Sequence, residues 1–185
     1  FDNTILFSSI YKDNSKGKKV IKLLQHFKGW IIETQESSFD TQKATMMDFR
    51  INQNNGTSFV YVLPFDEKTA LVEYTLFTKQ LLEPEEYDEQ LKNYIKSFLG
   101  IEHYKVSERE FGVIPMTNEI FSFEKNGWNI GTAGGQTKAS SGYTFQFIQK
   151  QSQQIADCLV AGKSLKQIPQ SPWRFNFYDN TLLEI

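Results

Sequence analysis

Residues 58–77 read Ser-Phe-Val-Tyr-Val-Leu-Pro-Phe-Asp-Glu-Lys-Thr-Ala-Leu-Val-Glu-Tyr-Thr-Leu-Phe. Two apolar runs, rich in β-branched and aromatic residues, are joined by the short polar segment Asp66-Glu67-Lys68. That pattern predicts a β-hairpin. One residue disturbs it. Glu73 stands in the middle of the second run, where a charged and dry carboxylate costs several kcal/mol. It faces water, has a partner, or holds its proton for a purpose.

Working outward, residues 4–11, 20–24, 27–34 and 44–50 also read as strands, with Gly29 a candidate bulge. Asn52-Gln53-Asn54-Asn55-Gly56 is strong turn chemistry. A helix is expected near 84–99. Pro84 suits its first turn, Glu85 and Glu86 complement its positive end, and Gly100 can end it. Tyr87, Leu91, Tyr94, Ile95 and Phe98 repeat at helical spacing and form a core stripe. Residues 104–114 return to strand, and Pro115 is expected to close it. In the last third, Trp128-Asn129-Ile130 is a short strand running into glycines. Ser140 or Ser141 then caps a helix over 142–161, with Gly162 as its stop. The aromatic tail Pro172-Trp173-Arg174-Phe175 is expected to pack back on the body.

Many strands in succession, one helix between them and one long helix late predict an α+β fold with a largely antiparallel sheet, not a βαβαβ array. The expected division is a sheet domain over 1–128 and a C-terminal part over 129–185.

Composition narrows the function classes. A chain of 185 residues is long enough for a real core. Net charge is −2, so neither sign dominates. The one basic cluster, Lys16-Gly17-Lys18-Lys19, lies in an Asn/Ser/Gly loop and reads as a solvated turn, so no nucleic-acid partner is expected. Aromatic residues make up 15% of the chain, which points to a thick core or an apolar pocket. Cys158 is the only cysteine, which excludes a disulfide framework and a thiolate metal cluster. His26 and His103 are far apart without ligand-like neighbours, and no metal site is expected. No apolar run reaches the roughly 18 residues of a membrane-spanning helix. The chain opens in strand-like sequence without an initiator methionine and stops inside an apolar pattern. It therefore reads as a fragment of a longer protein. Nothing in it sets an oligomeric state.

Two segments carry candidate chemistry. Gly131-Thr132-Ala133-Gly134-Gly135, followed by Ser140-Ser141-Gly142 and a helix, has the layout of an anion site. Glycines let backbone approach a ligand, and a helix start presents free N–H groups. The same spacing fits a glycine-rich turn that binds nothing. Asp48 and Arg50 alternate onto one strand face, where an ion pair that fixes the sheet is favoured over a role at a ligand boundary. Glu108, Arg109 and Glu110 read as a solvated strand start.

Seven blocks, in order, resemble the lycopene cyclase family of flavoproteins. They are Met47-Asp48-Phe49-Arg50, Phe59-Val60-Tyr61-Val62-Leu63-Pro64-Phe65, Leu71-Val72-Glu73-Tyr74-Thr75, Gly112-Val113-Ile114-Pro115-Met116-Thr117, Gly131-Thr132-Ala133-Gly134-Gly135, Ser140-Ser141-Gly142-Tyr143 and Trp173-Arg174-Phe175. The resemblance covers residues 25–183. It implies the substrate domain of a p-hydroxybenzoate hydroxylase-like flavoprotein fold, without the N-terminal dinucleotide-binding region that family members carry.

The resemblance implies ring closure at the ends of lycopene, a redox-neutral isomerisation in carotenoid biosynthesis. It implies reduced FAD as cofactor, with NADPH as the reductant. It places Gly131, Gly134, Gly135 and Gly142 on the wall of the FAD site and Glu73 in the acidic motif used for cyclisation. Family motifs often carry a second acid directly after the first, and here that position is Tyr74. A carotenoid or other long apolar isoprenoid is the implied substrate. Peripheral membrane attachment on the cytoplasmic side, in a bacterium, is implied with it. The fragment alone is expected to be inactive and to hold no FAD tightly. Two other readings remain: a related FAD-dependent isoprenoid reductase or hydroxylase, and a non-catalytic carotenoid- or lipid-binding module.

Overall fold

The computed structural model describes residues 20–118, 130–168 and 173–184. The chain divides into two compact units, Leu23–Ile114 and a second made of Phe1–Lys22 with Pro115–Ile185. The boundary expected at 128/129 and the strands expected at 4–11 and 128–130 fall mainly on residues outside those described.

The first unit is built on a sheet with strands β1 (Lys22–Glu33), β2 (Thr45–Asp48), β3 (Thr57–Pro64), β4 (Thr69–Thr78) and β5 (Lys105–Thr117), and on helix α1 (Pro84–Ser97). The spatial order is β2-β3-β4-β1-β5. The pairs β2–β3, β3–β4 and β4–β1 are antiparallel. The hairpin read from residues 58–77 is β3–β4, closed where the Phe65 amide donates to the Thr69 carbonyl at 2.9 Å. Segments 20–24 and 27–34, read as two strands, form the single strand β1. Gly29 is no bulge, because it pairs in register with Glu73.

The sheet's irregularity lies in β2 instead, between Thr45 and Asp48, where Met47 adopts φ 55°. A residue inserted there turns the strand's next side chain to the other face. Pro115 does not close β5, which runs on to Thr117. A proline is tolerated here because β5 ends the sheet order, and an edge strand can lack one ladder donor.

Alternation then sorts the side chains. Ala70, Val72, Tyr74 and Leu76 of β4 join Trp30, Ile32, Val60 and Val62, and pack against Tyr87, Leu91, Tyr94 and Ile95 of α1. The helix starts with Pro84 at its first position and a reciprocal capping box between Glu83 and Glu86. It stops at Gly100, whose φ of 69° lets the Ile101 amide return to the Ile95 carbonyl at 3.2 Å.

In the second unit a 3-10 turn over Gly131–Gly134 precedes α2 (Phe145–Val160), and α3 is Trp173–Glu184. The late helix starts three residues after the position read from sequence, with Thr144 rather than a serine at its N-cap. Ser140 has another use, since its hydroxyl donates to Asp179 Oδ1 at 2.6 Å. The tail expected to pack back on the body is helical from Trp173. Among the described residues no helix is long and apolar enough to cross a membrane.

Candidate functional site

The face of the sheet opposite α1 carries the candidate site. On β4 it presents Leu71, Glu73, Thr75 and Phe77. Tyr61 of β3 lies opposite Glu73 on one side, and Gly29 of β1 lies opposite it on the other. Tyr74, the residue next to Glu73, points the other way and is 1% exposed in the core. The missing second acid of the sequence motif is therefore a core position here, not a gap in the site.

A second acid reaches Glu73 from elsewhere. A Cβ placed on Gly29 would lie 2.6 Å from Glu110 Oε1 and 2.8 Å from Glu110 Cγ. The Glu110 side chain thus folds over β1 toward β4, through space that any side chain at position 29 would fill. It comes near enough to the Glu73 carboxyl to raise it, and Glu73 Oε1 accepts from Thr75 Oγ1 at 2.8 Å. Glu108, Arg109 and Glu110 are exposed, as the sequence reading has them, and the Glu110 side chain lies over Gly29.

The electrostatics follow from this geometry. Burial pushes the Glu73 carboxyl up to about 7, the Thr75 hydroxyl opposes this, and the Glu110 carboxyl adds to the rise. A half-buried acid that keeps its proton near neutrality is suited to proton donation. Around it the face is aromatic. Phe59 makes edge-to-face contacts with Tyr61 and Phe77, at centroid distances of 5.3 and 5.7 Å. Gly112 repeats the use of Gly29, since a Cβ there would lie 2.2 Å from Cζ of Phe27. Two shallow concavities, of about 550 and 350 Å3, are lined by the polar segments around Lys68 and His103, and Glu73 lines neither.

Two further polar clusters sit on the α1 side and serve the fold. Asp48 accepts from Arg50 Nε at 2.8 Å, from Arg50 Nη2 at 2.6 Å and from the Tyr94 hydroxyl at 2.8 Å. The Arg50 hydrogen bonds hold the Asp48 carboxyl well below the usual range. This is the ion pair read from the sequence, with Tyr94 as an added donor. His26 is fully buried. Thr78 donates to the Gln80 carbonyl, so its oxygen accepts from His26 Nε2 at 2.7 Å, and Nδ1 accepts from the Tyr87 hydroxyl at 2.5 Å. Burial lowers the imidazole to about 4, so it is neutral at physiological pH.

In the second unit the four candidate glycines all have intrachain uses for their amides. Gly131 donates to Gln151 Oε1 at 3.3 Å, Gly134 to the Ile130 carbonyl at 3.1 Å, Gly135 to the Thr132 carbonyl at 3.0 Å and Gly142 to the Lys138 carbonyl at 2.9 Å. Their amides are not free to hold a cofactor. What they offer is the absence of side chains, with Gly131, Gly135 and Gly142 at φ between 62° and 72°. At the start of α2 Thr144 caps none of the first-turn amides through its side chain, and among the described residues these donors have no other partner. This set fits an anionic group such as a cofactor phosphate beside a glycine wall.

The family profile described as lycopene cyclase protein matches residues 6–180. Chloroplastic neoxanthin synthase from Solanum tuberosum is 27% identical over 146 residues, which are 72% of this chain and 29% of that protein. Lycopene beta cyclase, chloroplastic/chromoplastic, from Narcissus pseudonarcissus is 28% identical over 127 residues, which are 62% of this chain and 25% of that protein. The chain thus spans less than a third of the length of these relatives. A solved structure of a geranylgeranyl bacteriochlorophyll reductase-like protein from Thermoplasma acidophilum matches with a TM-score of 0.53 and 12% identity. The match covers 87% of this chain and 39% of that one, and it speaks for the fold alone.

Proposed function

Because the chain belongs to the lycopene cyclase family, we propose that the full-length protein closes ionone-type rings at the ends of a linear carotenoid, with Glu73 as the acid. The observation that carries this reading is a half-buried carboxyl, pushed up to about 7 by burial, on an aromatic sheet face. Glu73 gives its proton to a terminal alkene. The adjacent double bond closes the new C–C bond, and loss of one ring proton to a base sets the ring alkene. One proton enters and one leaves, so the product is an isomer. The rings of Phe59, Tyr61 and Phe77 would attract the intermediate cation by about 0.5–2 kcal/mol each.

FAD, when bound to the full-length protein, supplies the reduced flavin that the family's cyclisation requires. Gly131, Gly134, Gly135 and Gly142 would give its isoalloxazine room, and the start of α2 would face its anionic part. A carotenoid does not dissolve in water, so the enzyme must meet a membrane surface. The exposed Phe145, Leu159 and Val160 of α2 supply apolar area for such contact.

The test uses the full-length parent gene in lycopene-accumulating cells, beside Glu73→Gln, with pigment analysis. Cyclised carotene from the parent and none from the variant is the expected result. Rings from both would remove Glu73 from the mechanism. No rings from a well-expressed, FAD-loaded parent would end the cyclase reading and leave reduction, hydroxylation or simple binding of an isoprenoid.

A further inference from the structure

The row Tyr61, Glu73, Gly29, Glu110 crosses the sheet from β3 to β5. Strands β4 and β5 flank β1, so the backbones carrying the two glutamates are about 9.5 Å apart, twice the strand spacing. Two glutamate side chains can meet across that gap only if the residue between them has no side chain on this face. Gly29 meets that need. A glycine inside a strand weakens it, so its presence here has a cost that the carboxyl pair explains.

We propose that Glu110 is the positioning partner of Glu73: lying in the slot left by Gly29, its carboxyl shares one proton with Glu73 and holds that proton at the sheet face until substrate arrives. This deepens the cyclase reading and rests on it only for the identity of the proton's acceptor. Like charges this close cannot both ionise at little cost, so the pair keeps one proton where a lone exposed glutamate would lose it. The Thr75 hydroxyl occupies one lone pair of Glu73 Oε1, which restricts the carboxyl's rotation.

Other titratable groups on this face are Tyr61, opposite Glu73 on β3, and Glu33, four residues after Gly29 on β1 and paired with Lys105 at 3.7 Å. Among the described residues no lysine or arginine forms an ion pair with Glu73 or Glu110. Lys28 and Arg109, the nearest cations in sequence, are engaged on the α1 side. Lys28 pairs with Asp88 of α1, and the Arg109 guanidinium lies 5.9 Å from the Trp30 ring centroid.

The test is a carbon-13 NMR titration of the 185-residue chain with labelled glutamate carboxyls, the Glu73 resonance being assigned by its loss in Glu73→Gln. In Glu110→Gln the Glu73 midpoint should fall by about 0.5–1.5 pH units, since burial remains while the second carboxyl is gone. Gly29→Ala should move it the same way by filling the slot. The atoms it displaces are the flexible end of Glu110, so this variant folds even if Glu110→Gln does not. Glu108→Gln should leave the midpoint where it is. A Glu73 midpoint unmoved by Glu110→Gln and by Gly29→Ala overturns the pairing.

The cyclase reading fails separately. If the full-length parent forms no rings while both variants shift Glu73, the shared proton stands and its use is other than cyclisation. If rings form but neither variant shifts Glu73, the acid acts alone.

Discussion

Glu73 should cost the protein stability at neutral pH, and Glu73→Gln should recover it. The folded-state value of about 7 lies above the reference value of 4.5. A carboxyl raised in this way binds more protons folded than unfolded between those two values. Its contribution is fully favourable below pH 4.5 and is lost as pH rises through 7. The full shift corresponds to roughly 3 kcal/mol at 1.36 kcal/mol per unit; partial exposure of Glu73 reduces this to about 2 kcal/mol. Glutamine keeps the shape, accepts from Thr75 and can donate to Glu110, without the charge. Glu73→Gln should therefore raise the melting temperature at pH 8 by about 4–8 °C, using the usual slope for a chain of this size. At pH 4.5 the two proteins should melt together. Calorimetry across pH 4.5 to 8.5 reads both. A gain of equal size at every pH, or a loss at pH 8, would refute the assignment of a buried, proton-holding carboxyl.

His26 has the opposite sign. Its folded value of about 4 lies below the reference value of 6.5, so stability is lost as pH falls from 6.5 to 4. Tyr87→Phe should cost about 1–3 kcal/mol by leaving Nδ1 of His26 and the Leu82 amide without their partner, measured by urea unfolding at pH 7.5. Asp48→Asn should also destabilise by about 1–3 kcal/mol, through the weakened bonds to Arg50 and Tyr94. The Asp48 loss should shrink in strong acid, where the wild-type carboxylate also becomes protonated, because its folded value is depressed. A constant difference down to low pH would show that the ion pair contributes nothing.

The opposing slopes of Glu73 and His26 overlap between pH 4.5 and 6.5, so they partly cancel in the natural chain. At neutral pH His26 is uncharged and ties the β4–α1 connection to the sheet through Thr78 and Tyr87.

Local features were legible in the sequence. The hairpin over β3 and β4 follows from alternation and a three-residue polar break, and α1 follows from its apolar spacing, its proline start and its glycine stop. Alternation also told that Tyr74 could not share the face of Glu73, and the oddness of Glu73 in an apolar strand was visible without any fold. The Asp48–Arg50 pair was readable because its members are two residues apart.

What the sequence left open is all non-local. It contains no statement that β1 lies between β4 and β5, because that order depends on how Trp30 and Ile32 pack with Val72 against α1. Until that packing sets the register, Gly29 is only a weak spot in a strand and Glu110 only one charge among three. The tertiary structure puts the glycine opposite Glu73 and folds Glu110 into the space it leaves, so residues separated by 81 positions share one site. The sequence by itself determined that an acid sits where an acid is costly. Only the packed sheet decided which second carboxyl comes near it, because strand order alone sets β5 across β1 from β4.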